Sequence, residues 1–171
     1  MDQLQSAWES HIDIHTDPSG VPYDDEAHQQ AEARRNAEGW AAFEPIALIA
    51  ARLVASGEQR RPVLPAGAGQ PRWGWQLGVL THVTQQLDAI GSSAQAALNE
   101  LPPAAGPGSE LYEAVISERN TAAWPLLEEW ALHAPAVVGI RAATAETERT
   151  RMTTSAPAPP ATTRSSPAIR R

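Results

Sequence analysis

From Pro45 to Ala55 the chain reads PIALIAARLVA, and Arg52 is the one charged residue in that stretch. On a helical wheel of about 100° per residue its apolar side chains go all the way round. A helix of that kind is usually buried on most of its sides. The segment is therefore expected at the centre of the fold, opened by Pro45 and closed by Ser56 and Gly57.

Helical periodicity continues on either side, whereas alternating strand patterns are absent apart from the brief HIDIH at 11–15. Residues 2–15 place Leu4, Trp8, His11, Ile12 and His15 on one face. Pro18 and Gly20 end that helix. Asp24, Asp25 and Glu26 suit the positive end of a helix dipole and open a second helix to about Glu38. Gly39 separates it from the 45–55 helix. After a Pro- and Gly-rich loop at 58–71, Trp73, Leu77, Leu80, Val83, Leu87 and Ile90 define a broad apolar stripe. Gly91 is expected to interrupt, with a short helix at 92–101 capped by Ser92 or Ser93. A further helix begins at Ser109, kinked or restarted at Pro125, and a last one runs from Pro135 to about Arg151. No internal repeat is apparent.

These segments predict an all-α protein: a single-domain helical bundle of five to seven helices over residues 1–151. Residues 152–171, rich in Pro, Thr, Ser and Ala, form an expected disordered C-terminal tail, because such a composition buries too little surface to offset the entropy of ordering.

The chain has 171 residues, no cysteine and, by inspection, no lysine; its net charge is −7. Disulfides, thiolate ligands, Schiff-base lysines and a P-loop lysine are thereby excluded. Abundant Ala, Arg, Pro and Gly point to a high-GC bacterium as the source of the lysine bias. All twenty acids precede residue 152, and an acidic body repels phosphate backbones, so nucleic acid is a disfavoured partner. The polar start MDQLQSAWES is unlike a signal peptide and no run of 18 apolar residues occurs, so a soluble cytoplasmic protein with no membrane contact is expected.

Four features could carry function. His11 and His15 are one helical turn apart, a spacing that can chelate one metal ion from one face. His133, or His28, would complete the set, while His82 faces away. Ile12 stands where an HExxH protease carries its general base, so no protease is read. Histidines on several helices are similar in style to DinB-type metal bundles, but no full ligand set matches and no family is assigned. A divalent transition metal is thus the alternative to having no cofactor. The economical reading is a pair of partly buried imidazoles beside Trp8.

Second, residues 84–101 have the outline of a helix-turn-helix, yet their second helix offers no arginine to anchor phosphate. Third, six tryptophans stand against one phenylalanine. Trp8, Trp73 and Trp130 fall on core faces; Trp75 and Trp124 fall off them and are candidate interaction residues, since Trp is enriched in binding hot spots. Fourth, Arg52 inside an apolar helix needs Glu44, Glu128 or Glu129 as partner, or must reach solvent with its stem on apolar surface. The Gly-rich LPAGAGQPRWGW at 64–75 lacks the strand and the Lys-Ser/Thr of a phosphate loop. No nucleophile and base can be assigned. The expectation is a non-enzymatic interaction or accessory protein, acting on a protein partner or as a homo-oligomer.

Overall fold

In a computed structural model of the chain, residues 2–65, 67 and 70–154 are described. They contain five α-helices and no strand: α1 (Asp2–His15), α2 (Asp25–Arg60), α3 (Trp73–Glu100), α4 (Glu110–His133) and α5 (Pro135–Thr154), with one 3-10 turn over Arg61–Val63. The all-α class stands. The expected segmentation does not: the bundle proper is four long helices, α2 to α5, fewer than five to seven, with the short α1 laid on the outside of α2.

The difference arises at glycine and proline. Gly39 and Gly91 were expected to separate helices, Pro45 to open one and Pro125 to kink or restart one; Gly39 and Pro45 lie inside α2, Gly91 lies inside α3, and no new helix starts at Pro125, which lies inside α4. Pro45 and Pro125 are exposed, so the backbone carbonyls one turn before them, at Ala41 and Thr121, lose an amide partner on sides that water can reach. Gly39 and Gly91 are contact points. A Cβ on Gly39 would sit 2.7 Å from the Trp124 ring, and one on Gly91 would sit 3.5 Å from the Trp40 ring.

The expected helix starts at Asp24 and Ser109 form, whereas Ser92 and Ser93, expected to cap a short helix, lie inside α3. The Asp24 side chain accepts from the Ala27 amide at 3.0 Å, and Asp25 and Glu26 occupy the first turn of α2. The Ser109 side chain accepts from the Tyr112 amide, and Glu113, one residue beyond the capping-box position, accepts from the Gly108 amide at 3.0 Å. Between α1 and α2, Asp17 Oδ1 accepts from the Ser19 amide, the Ser19 hydroxyl and the Val21 amide. Those bonds, the Val21 amide first, hold the Asp17 carboxyl below its usual range. Gly20, at φ 84°, completes that turn.

The core lies where the α3 stripe predicts. Leu77, Leu80, Val83 and Leu87 are buried against Ala50 and Val54 of α2, Ala123, Leu127 and Trp130 of α4, and Ile140 of α5. The most extensive contact is α3 on α4, followed by α2 on α4. α5 packs mainly on α2, closing over Gly57 and Trp73 through Ile140 and Gly139. Met152, Thr153 and Thr154, expected in the tail, are the last residues of α5; the rest of the expected tail lies outside the described residues.

Candidate functional site

The 45–55 segment is the central surprise. Expected to be buried all round, it buries only one side. Ala50 and Val54 are in the core, while Pro45, Leu48, Ile49, Arg52 and Ala55 are exposed. Leu48 is 90 % exposed. Ala41 and Ala42, one turn earlier, extend the bare apolar face. The face lies between two apolar depressions. A groove of about 630 Å³ runs between α2 and α3, walled by Phe43, Ala47, Leu48, Ala51, Val54 and Leu87, with Asp88 and Glu58 among its few charges. A second, also about 630 Å³, lies between α2 and the α4–α5 junction, lined by Ala42, Ile46, Trp130 and Val138 among others.

The apolar content of α2 has a second consequence. An 18-residue window of it reaches a mean hydropathy of 1.3, long and apolar enough by those measures to cross a membrane, and only 22 % of that window is buried within the fold. Glu44 and Arg52 interrupt that stretch, so no run of 18 apolar residues occurs in it and the window qualifies by length and mean hydropathy alone.

Arg52, expected to need a buried carboxylate, is exposed, and no ion pair is formed by it among the described residues. Glu44 and Arg52 lie on the same exposed side of α2, one turn before and one turn after Leu48.

Trp75 and Trp124 have opposite fates. Trp75 is 63 % exposed, with its ring edge-on to the His133 ring at 4.9 Å between centres. Trp124 was placed off the core face; it is buried, pressed on Gly39 and covered by the Arg35 guanidinium at 4.4 Å from its ring centre. As a buried residue it offers no interaction surface.

The histidine set is divided. His11 and His15 do meet, at 4.5 Å between ring centres, and His28 joins them, 5.6 Å from His11. His133 does not: it is buried at the end of α4, with Nε2 3.2 Å from Glu129 Oε2 and Trp75 beside it. Among the described residues no group of three or more His, Asp or Glu side chains has a geometry that could hold a metal ion. The imidazoles instead pack around Trp8, which stacks on His11 at 5.4 Å and contacts His28 at 5.2 Å. Burial, then the positive charges of His15, His28 and Arg34, hold the His11 imidazole below its ordinary value of 6.5. A cavity of about 260 Å³ opens beside it, lined by Trp8, Arg34, Arg35 and Glu38 among others.

Residues 84–101 contain no turn. They form the second half of α3 and its C-cap, so the two helices of a helix-turn-helix are absent there.

Sequence reasoning missed one arrangement outright. Arg35, Asn36, Trp40 and Glu44 on α2 recur at the same spacing as Arg119, Asn120, Trp124 and Glu128 on α4. The two copies exchange partners. Arg35 lies over Trp124 and Arg119 lies over Trp40, each at 4.4 Å from the ring centre. Each guanidinium also donates twice to the side-chain oxygen of the asparagine that follows it, at 2.8 and 3.0 Å for Arg35 and 2.8 and 3.1 Å for Arg119. Burial lowers the pKa of both arginines; Glu32 and Glu128 oppose this at Arg35, Glu44 and Tyr112 at Arg119. Both asparagines are buried, and Asn36 reaches the Thr121 hydroxyl at 3.5 Å. Arg35 additionally faces Trp8 at 4.0 Å, so one guanidinium joins α1, α2 and α4. The signal was in the sequence as R-N-x-x-x-W-x-x-x-E written twice, but four identities in ten residues are visible only once their positions are known to matter.

No family model, no curated protein and no solved structure matches this chain.

Proposed function

We propose that the protein is a non-enzymatic interaction module that works through the outer face of α2. One observation carries the reading: the apolar stretch of α2 leaves Leu48 90 % exposed between two apolar grooves. Scattered exposed apolar residues are ordinary, but a contiguous apolar face flanked by grooves is the usual mark of a binding surface. The clamp between α2 and α4 supports the reading by holding the segment just before that face rigidly on the bundle. A preorganised face loses less entropy on binding.

The test is the native size of the protein in extract of the cells that make it. Wild type is expected to elute as a larger particle than the Leu48→Glu variant on gel filtration. Both eluting at the size of one chain would contradict the proposal.

A further inference from the structure

The geometry points to a second copy of this chain as the occupant of the α2 face, packed antiparallel about Leu48. The inference rests on the interaction reading above and adds the identity of the partner. Three observations carry it.

The first is charge. Glu44 is four residues before Leu48 and Arg52 four after, each about 6 Å along the helix axis at 1.5 Å per residue. When two α2 helices cross antiparallel with Leu48 against Leu48, Glu44 of one copy comes level with Arg52 of the other. A two-fold axis makes this happen twice. A parallel pairing would instead set Glu44 against Glu44 and Arg52 against Arg52. Among the described residues Arg52 has no ion-pair partner and Glu44 has none either, though its field reaches Arg119.

The second is shape. An isologous interface needs a projection and a recess on the same patch. Leu48 projects, and the groove between α2 and α3 opens directly beside it, with Leu48 itself on its wall. Ridge-into-groove packing is the ordinary way for two helical surfaces to meet. The third is the size of the side chains at the crossing. Ala41, Ala47, Ala51 and Ala55 surround Leu48 and Ile49, so the two helix axes can approach closely enough for the flanking charges to meet.

The experiment is sedimentation equilibrium of the purified full chain over a wide concentration range, with circular dichroism melts confirming that each variant folds. Wild type is expected to dimerise, and Leu48→Glu to be monomeric throughout. Glu44→Arg and Arg52→Glu are each expected to weaken the dimer by about threefold or more, the order expected for an exposed ion pair broken twice. The double variant Glu44→Arg/Arg52→Glu is expected to recover wild-type affinity, because the swap restores opposite charges across the axis. A wild type that stays monomeric at several hundred micromolar overturns the inference. So does a dimer that survives Leu48→Glu, or a double variant no better than the singles. Should the purified protein be monomeric while the particle in extract remains large and depends on Leu48, the second-copy inference fails and the interaction reading survives. Flotation of monomeric wild type with phosphatidylcholine/phosphatidylglycerol vesicles, lost in Leu48→Glu, would assign the face to a lipid surface and overturn both.

Discussion

Arg35 of α2 lies over the ring of Trp124 of α4, and Arg119 of α4 lies over the ring of Trp40 of α2 at the same 4.4 Å. The exchange ties the two helices at two points. Each guanidinium lies over a tryptophan ring of the other helix and forks onto one asparagine oxygen, and a lysine could not make that fork. Replacing Arg119 by Lys keeps the charge and loses the plane. Arg119→Lys and Arg119→Met are therefore both expected to destabilise the fold, by about 0.5–2 kcal/mol, the range from an exposed to a desolvated cation–π contact. A double-mutant cycle with Trp40→Leu in urea should give a coupling energy of about 1 kcal/mol. Strict additivity would show that Arg119 and Trp40 do not act together.

Gly39 and Gly78 provide a matched contrast. A Cβ at Gly39 would come 2.7 Å from the Trp124 ring, whereas one at Gly78 meets nothing within 4 Å. Gly39→Ala should cost about 1–3 kcal/mol through overpacking. Gly78→Ala, in the interior of α3, should gain about 0.5–1 kcal/mol from backbone entropy. Chemical denaturation of the two variants checks both signs at once.

Acid should loosen α1 first. His11 is held below its ordinary value of 6.5 in the folded chain, so the unfolded chain binds more protons around that pH. Stability from neutral His11 is complete above 6.5 and falls as pH drops below it. The groups facing His11 sharpen the effect: His15 on α1, with His28, Arg34 and Arg35 on α2 all able to carry positive charge, against Glu38. Melting temperature followed from about pH 7.5 to about pH 5 should decline less steeply in His11→Gln than in wild type. Equal slopes would exclude His11 as the source.

Leu48 and Leu80 should respond oppositely to truncation of the monomer. Leu80 is fully buried in the core, and Leu80→Ala should cost about 2–5 kcal/mol. Leu48→Ala and Leu48→Glu, at a position 90 % exposed, should each change monomer stability by no more than about 0.5 kcal/mol. Denaturation at concentrations below any self-association separates the two. A large loss at Leu48 would mean that the side chain already has a partner within the chain.

The α3 stripe, the α1 face, the Asp24 and Ser109 caps and the helical class were legible because each depends on local spacing. Gly39 and Gly91 were not: a glycine that breaks a helix and one that admits a tryptophan look alike until the partner ring is known. At Pro125 the restart that the sequence allowed does not occur, since an exposed proline in a well-packed helix need not end it. His11 and His15 were rightly paired by their one-turn spacing; His133 belongs to Glu129, one turn before it on α4, and to Trp75 of α3, and only the Trp75 contact lies beyond what local spacing shows. The burial of α2 was overestimated because apolar side chains all round a helix favour burial without requiring that this chain cover every side.

The most direct test uses the absence of cysteine. A single Leu48→Cys substitution puts one thiol on the bare face, and Ser117→Cys puts one on an exposed position of α4 away from it. The rate of reaction of each with a maleimide, measured in dilute purified protein and again at high protein concentration, should stay constant at position 117. At position 48 it should fall as the concentration rises. Two rates that remain equal and unchanged would contradict the claim that this face is made to be covered.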